Sequence, residues 1–125
     1  MNQSHEVARA ILDTFDLHYQ SFRGLCERAR ECYEAADWKA AREASAKRIQ
    51  SYDSQVRGAI RRIQSDFSEA GTVDALWPEI KRAYSSLLFD HRQPECAETF
   101  YNSVACGFLH RRYYRNEYIF FRPAI

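Results

Sequence analysis

Residues 33–38 read YEAADW, and this short stretch decides how the chain folds because it interrupts a long helical pattern. Before it, apolar residues recur at spacings of three, four or seven, which places them on one face of a helix. Within it, Asp37 is a favourable N-cap, since its carboxylate can accept a hydrogen bond from a backbone N–H of the following helix. The stretch predicts two helices separated by only a residue or two, and such helices fold back as an antiparallel hairpin.

The helices on either side of this turn are both predicted to be long. The first has about thirty residues, with Ser4 as its N-cap and Glu6 in its first turn, where an acid complements the helix dipole. The second follows Asp37 and ends near Gly71, a residue type common just after a helix. We expect the apolar stripe of each helix to be buried; the stripes are Val7, Ile11, Phe15, Phe22, Leu25, Ala29, Tyr33 and Ala36 in the first helix, and Trp38, Ala41, Ile49, Tyr52, Val56, Ile60, Ile63 and Phe67 in the second.

The charges of the two long helices support their pairing. Residues 1–38 hold four arginines against seven acidic residues, whereas residues 39–70 hold seven basic against four acidic residues. Opposite net charges on facing helices favour this hairpin over a parallel association of identical chains, although each exposed pair contributes only tenths of a kcal/mol.

Two shorter helices and a strand-like segment are predicted after the hairpin. The third helix runs from about Asp74 to Leu88, with Pro78 near its start because proline is tolerated only in a first turn. Its inward residues are Leu76, Trp77, Ile80, Tyr84, Leu87 and Leu88. The fourth begins with Pro94 at N1 and continues to about Arg112; its apolar residues cover more than one face, which indicates burial on several sides. They are Ala97, Phe100, Tyr101, Val104, Cys106, Phe108 and Leu109.

The predicted fold class is therefore mainly α, a bundle of about four helices in which two long antiparallel helices come first. A short strand-like segment, residues 117–121 (EYIFF), ends it. No linker or repeat divides residues 1–125, so they form a single helical segment. The run YIFFRPAI stops without a partner strand, and we expect that partner to lie beyond Ile125. An exposed strand could also pair between two copies, so a homodimer is among the expected assemblies.

Composition excludes several classes of protein. Of the 125 residues, 46% are hydrophobic, and the formal net charge is +1, which gives no general attraction to nucleic acid or to an anionic membrane. The N-terminus lacks a signal peptide, and no apolar run approaches the roughly 20 residues that span a bilayer. The expected localisation is cytoplasmic. No two of the four cysteines form a C-x-x-C motif, and all are expected to be reduced thiols in the core. They are Cys26, Cys32, Cys96 and Cys106.

The sequence offers no catalytic, cofactor-binding or metal-binding residues in this segment. The four glycines form no phosphate-binding loop, and no H-E-x-x-H or G-x-S-x-G motif occurs. The histidines are at no metal-ligand spacing and are interpreted as surface or helix-end residues; they are His5, His18, His91 and His110.

Two groups of basic residues can be explained without a ligand, one on the second helix and one at the end of the fourth helix. The first is interpreted as a solvated or partner-facing edge of the second helix, because a nucleic-acid site would need exposed aromatic residues among the charges; it comprises Lys47, Arg48, Arg57, Arg61 and Arg62. The second closes the fourth helix, where cations complement the dipole, although a phosphate ligand stays open as an alternative; it comprises Arg111, Arg112 and Arg115.

At the fourth helix the sequence resembles a known family. Residues 97–112, AETFYNSVACGFLHRR, and residues 77–88, WPEIKRAYSSLL, resemble the N-terminal part of bacterial isocitrate dehydrogenase kinase/phosphatase. Three earlier blocks match in the same order and at similar spacing. They are AILDTFDLHYQSF (10–22), YEAADW (33–38) and KRIQSYDSQV (47–56). The resemblance covers nearly all of residues 1–125 and is weakest over residues 110–125.

The resemblance implies a function that the residues themselves do not. Family members are several times longer, with an N-terminal, mainly helical regulatory domain followed by a kinase-like catalytic domain. They phosphorylate and dephosphorylate a serine of isocitrate dehydrogenase, which controls flux between the Krebs cycle and the glyoxylate bypass. ATP, Mg²⁺ and the regulator AMP are implied for the full-length enzyme, with isocitrate dehydrogenase and the enzyme's own C-terminal kinase-like domain as partners. No catalytic residue of the family falls in residues 1–125, so this piece alone is expected to be inactive. The alternative is a free-standing helical module for protein–protein interaction.

Overall fold

The computed structural model describes residues 3–67 and 70–109, without the side chains of residues 70–72. At 1.5 Å per residue, the first two helices are about 45 Å long and the last two are about 25 to 30 Å long. The mainly α fold with two long helices first is therefore confirmed. The helices are α1 (Gln3–Glu34), α2 (Trp38–Asp66), α3 (Ala70–Leu88) and α4 (Pro94–Leu109).

The predicted turn between α1 and α2 has the expected chemistry. Asp37 caps α2, because its Oδ1 accepts a hydrogen bond from the Ala40 N–H at 3.2 Å. Further along the pair, the rings of Phe22 and Tyr52 lie 5.2 Å apart. Residues nearer the N-terminus of α1 therefore contact residues nearer the C-terminus of α2. The two helices are antiparallel, as predicted.

Contacts with α1 place the two shorter helices beside its N-terminal half. The Ser4 hydroxyl donates to Glu79 Oε2 at 3.1 Å, and His91 Nε2 lies 2.7 Å from Asp16 Oδ1, so α3 runs parallel to α1. The α4 helix returns antiparallel to α3, since the Tyr84 hydroxyl donates to the Ala97 carbonyl at 2.8 Å near the start of α4, whereas the earlier residue Trp77 stacks on Phe108 near its end. The four helices thus alternate in direction along the chain, as in an up-down-up-down bundle.

One hydrophobic core joins all four helices. As predicted, α4 is buried on more than one side, because Phe100 packs toward α1 and α2 whereas Tyr101 and Phe108 stack on rings of α3. The largest side chains that are almost fully buried come from every helix. They are Tyr84, Phe100, Phe108, Ile11, Ile63, Ile80, Val7, Val56, Val73 and Val104.

The helix ends differ from the predictions at three places. Ser4 is not the N-cap of α1; it lies within the helix, where its buried hydroxyl binds Glu79. The second helix ends at Asp66, with the Phe67 N–H donating to the Ile63 carbonyl, and Gly71 belongs to α3 instead. The earlier start of α3 adds Val73, which is 0% exposed, to the face formed by Trp77 and Ile80.

Pro78 is also misplaced by the sequence prediction, since it lies two turns into α3 rather than in its first turn. An interior proline costs about 3 kcal/mol because it removes a hydrogen bond and its ring crowds the preceding turn. The buried side chains on either side, Trp77 and Ile80, supply packing that offsets this cost.

Exposure corrects several further predictions, including that for Leu109 of α4, which is 43% exposed. Tyr33 and Trp38 belong to the predicted stripes, yet they are 60% and 56% exposed, because the turn lies beyond the ends of the shorter helices. Ala36 is exposed for the same reason. Among the cysteines, which are all free thiols, only Cys32 is buried, and Cys96 is exposed at the start of α4.

Some predictions fall outside the described residues. These are the end of α4 near Arg112, the basic group that includes Arg115, and the strand-like residues 117–121. Within the ranges 3–67 and 70–109, no helix combines the length and apolar character that crossing a membrane requires.

Candidate functional site

A cleft of about 520 Å³ lies between α1, α2 and α4. It opens where the start of α4 meets the middle of the two long helices. We call it the α4 cleft. Its lining residues are Phe15, Tyr19, Phe22, Arg23, Cys26, Arg48, Ile49, Tyr52, Gln55, Cys96, Thr99, Phe100 and Ser103.

Aromatic rings form the walls of the α4 cleft. Phe15, Tyr19 and Phe22 follow one another at helical spacings of four and three, so α1 presents all three on the same side. Phe100 of α4 packs between the long helices, with its ring centroid 5.6 Å from that of Phe15 and 6.1 Å from that of Tyr52. Such contacts fix the walls and make the interior of the cleft mainly apolar.

A short hydrogen-bond chain connects α2 with α4 at the cleft. The Ser103 hydroxyl donates to the Thr99 carbonyl at 3.1 Å, and Tyr52 OH lies 2.9 Å from Ser103 Oγ. Because the Ser103 proton is already used, Tyr52 donates to Ser103. Burial raises the pKa of Tyr52. Tyr52 is therefore a neutral hydrogen-bond donor at neutral pH.

The rim of the cleft carries two arginines and two thiols. Arg23 Nε lies 3.2 Å from Glu27 Oε1, so this guanidinium already has an acidic partner. Arg48 Nε is buried and has no hydrogen-bond partner in the described structure. Burial raises the pKa of the Cys26 thiol, against the opposing influence of Arg48. A protonated thiol is a poor nucleophile, so burial works against nucleophilic attack by Cys26.

The structure separates three of the four histidines that the sequence analysis considered, and His110 lies outside the described residues. His91 contacts Asp16, whereas His5 and His18 lie elsewhere on α1. Across residues 3–67 and 70–109, no three His, Cys, Asp or Glu side chains are grouped as metal ligands would be.

The basic edge of α2 divides into two parts. Arg57 and Arg62 form ion pairs with residues one turn away on α2, Asp53 at 2.9 Å and Asp66 at 3.5 Å. Arg48, by contrast, is half-buried and lines the α4 cleft. The prediction of a solvated or partner-facing edge missed this residue. A signal was present, since Arg48 precedes the striped residue Ile49 and lies one turn before Tyr52.

Comparison with known proteins gives the family. The family model described as "Isocitrate dehydrogenase kinase/phosphatase (AceK), regulatory domain" matches residues 8–125. The chain belongs to the isocitrate dehydrogenase kinase/phosphatase family. Relatives named isocitrate dehydrogenase kinase/phosphatase in Burkholderia mallei (strain SAVP1) and Burkholderia pseudomallei (strain K96243) are each 45% identical over 120 residues, or 96% of this chain. The relative of the same name in Azoarcus sp. (strain BH72) is 45% identical over 119 residues.

The match to these isocitrate dehydrogenase kinase/phosphatases is confined to one part of each relative. The chain covers 20% of the length of each of the three proteins. The sequence resemblance to this family is thus confirmed, and the α4 cleft lies within the region that the regulatory-domain model matches.

Proposed function

We propose that this chain is the N-terminal regulatory segment of a bifunctional enzyme that phosphorylates and dephosphorylates isocitrate dehydrogenase on a serine. The enzyme would thereby control flux between the Krebs cycle and the glyoxylate bypass, in the cytoplasm. The observation that carries the proposal is the match of residues 8–125 to the regulatory domain of this family. The helical bundle fits such a role, because a rigid core presents fixed surfaces to a neighbouring domain.

In this proposal, catalysis belongs to a kinase-like domain outside residues 1–125. Phosphoryl transfer depends on positioning ATP and Mg²⁺ against the acceptor hydroxyl, and that domain would hold both, with AMP as regulator. The segment would act through its contacts with the kinase-like domain. Isocitrate dehydrogenase would be the partner of the whole enzyme, and two copies of the segment could form a homodimer.

A chimeric enzyme tests the proposal. The 120 matching residues of the Burkholderia pseudomallei relative are replaced by this chain, and transfer of radiolabelled phosphate from ATP to isocitrate dehydrogenase is measured, together with its later removal. We expect the chimera to perform both reactions and to respond to AMP as the parent enzyme does. We expect the 125-residue chain alone to incorporate no label above background.

Two further variants make the chimera experiment decisive. Ile60→Asp buries a carboxylate in the core and should disrupt the segment, whereas Arg61→Asp changes an exposed neighbour and should not. The contradicting result is an Ile60→Asp chimera that keeps both activities and responds to AMP as the unmodified chimera does. Such a result would mean that the segment has no regulatory role.

The alternative is a free-standing helical module that binds a protein partner and has no catalytic part. The exposed pair Tyr33 and Trp38, whose rings meet edge to face at 5.2 Å, favours it, because exposed aromatic residues are common in protein interfaces. The reading frame beyond Ile125 discriminates between the two functions. Several hundred further residues with a nucleotide-binding lobe select the enzyme, and a stop codon selects the module.

A further inference from the structure

The charges around the α4 cleft are unbalanced. Two of its lining residues, Arg23 and Arg48, are basic, and in the described part of the chain none of its lining residues is acidic. Arg23 pairs with Glu27, which lies one turn further along α1 outside the lining. Arg48 is different, because its Nε is removed from solvent and has no hydrogen-bond acceptor in the described structure. The guanidinium of Arg48 does interact with the neighbouring Cys26 thiol, whose pKa it lowers. The cleft therefore contains one cationic side chain, that of Arg48, with a buried N–H group that has no acceptor.

A buried donor without an acceptor is unfavourable, since it loses its hydrogen bond to water and gains none in return. An oxygen of a bound anion at this position would restore the bond. A carboxylate fits a guanidinium group especially well, because its two oxygens match the planar fork of N–H donors. Because Arg23 already pairs with Glu27, only the charge of Arg48 is left to be neutralised. The cleft therefore favours an anion with a single negative charge.

The walls define the rest of the ligand. Phe22, Tyr52 and Phe100 offer ring surface to a guest, and the polar groups between them already bond to each other through Ser103. An apolar body would therefore be accommodated better than a sugar or a phosphate chain, which would need unused hydrogen-bonding groups along the walls. The volume of about 520 Å³ is within the range of small-molecule sites in proteins.

We propose that the α4 cleft binds a small monocarboxylate with an apolar body, such as a medium-chain fatty acid. Its carboxylate lies against Arg48, and its chain lies along Phe22, Tyr52 and Phe100. This inference goes beyond the proposed function and does not rest on it, since it uses only the geometry and charges of the cleft.

Three probes of equal chain length test the proposal by calorimetry on the full 125-residue chain: octanoate, 1-octanol and octylamine. We expect octanoate to bind at one saturable site, at least tenfold more tightly than 1-octanol, because only octanoate supplies an acceptor with the charge that Arg48 needs. Octylamine should bind more weakly still. Backbone amide shifts caused by octanoate should be centred on residues that line the cleft, such as Thr99 and Cys26.

Matched variants locate the effect. Arg48→Gln should weaken octanoate binding by about tenfold or more and leave 1-octanol unchanged, whereas Arg42→Gln, an exposed residue of α2 outside the cleft, should leave both unchanged. Thr99→Trp places a large ring in the cleft from an exposed position and should abolish binding of both probes.

Several results would overturn the inference. One is an octanoate affinity no greater than that of 1-octanol for the unaltered chain, which tests the idea even if a variant fails to fold. Others are octanoate binding that survives Thr99→Trp in a chain of unchanged helical content, or displacement of octanoate by inorganic phosphate at equal concentration.

Discussion

At the residue scale, two stacked tyrosines in the core differ in their hydrogen bonding. The rings of Tyr84 and Tyr101 lie 4.5 Å apart, and both residues are almost fully buried. The Tyr84 hydroxyl donates to the Ala97 carbonyl at 2.8 Å, whereas Tyr101 OH is buried without a partner in the described structure. The buried hydroxyl of Tyr84 therefore has a hydrogen-bond partner, whereas that of Tyr101 lowers the stability of the fold because it has lost water and gained no partner.

This difference predicts opposite results for the same substitution. Tyr84→Phe should lower the free energy of unfolding by about 1 to 2 kcal/mol, because it leaves the Ala97 carbonyl without its donor. Tyr101→Phe should change it by less than about 0.5 kcal/mol or raise it, because it removes only an unsatisfied hydroxyl. Urea unfolding followed by circular dichroism measures both. Equal losses in the two variants would show that Tyr101 OH has a partner in solution.

The same two tyrosines should make the fold sensitive to alkali. Burial raises the pKa of Tyr101 from 10.0 to about 12, and burial also raises that of Tyr84. Because the unfolded chain loses the phenol proton first, the stabilisation is fully present below pH 10 and is lost as pH rises toward 12. Each such tyrosine contributes a fall of about 1.4 kcal/mol per pH unit in that window. In Tyr101→Phe the fall should be shallower when urea unfolding is followed across this pH window.

At the element scale, the turn between α1 and α2 contains a backbone conformation that its residue does not favour. Ala36 has a φ of 57°, in the left-handed region where a side chain is strained. Asp37 follows immediately and caps α2. The turn therefore combines one unfavourable residue with one favourable residue, and each can be tested separately.

Substitutions at the turn should move stability in both directions. Ala36→Gly should raise the free energy of unfolding by up to about 1 kcal/mol by removing the strain, whereas Ala35→Gly, at a position without positive φ, should not. Asp37→Ala should lower it by about 1 kcal/mol through loss of the cap. Thermal denaturation of the three variants provides the comparison. A stabilising Ala35→Gly would indicate that the gain does not come from φ at residue 36.

The elements also show what sequence reasoning could predict. Periodicity, the Asp37 cap and the Pro94 start identified four helices and their hairpin correctly. The boundary near Gly71 was wrong because burial of Val73 outweighs the usual preference of glycine for helix ends. The α4 cleft was missed because Thr99 and Ser103 look like ordinary polar helix positions. Their role depends on how α4 is placed against the long helices, and no local pattern encodes that placement.

At the scale of the whole molecule, the bundle and the hairpin differ in how much apolar surface they bury. Contacts such as that between Asp16 and His91 place α3 and α4 along the N-terminal half of α1. Beyond the α4 cleft, in residues 27–47, the buried hydrophobic residues are only Cys32, Ala41 and Ala44. We call residues 27–47 the arm. Small side chains allow close helix packing but bury little area, so the arm has less hydrophobic stabilisation than the bundle.

Hydrogen exchange should therefore separate the arm from the bundle. We expect amides of the arm to exchange through local opening at a lower free energy than amides around Ile63 and Tyr84, which should approach the global unfolding free energy. Ala44→Leu, which overfills the close packing of the arm, should speed exchange there and leave the bundle amides unchanged. Uniform protection along the whole of α1 would instead mean that the chain unfolds as one cooperative unit.

The continuity of α1 has a mechanical consequence. The helix passes without interruption from the core around Ile11 to the turn beside Tyr33, and about 22 Å of it lies beyond Tyr19. A continuous helix that is packed at one end acts as a lever for as long as it stays helical. Rotating it by about 5° at the cleft carries the turn through about 2 Å, and a load applied at the turn is delivered, in reverse, to the rings of Phe15 and Phe22. A partner that bound at the turn would therefore also displace the residues that line the α4 cleft.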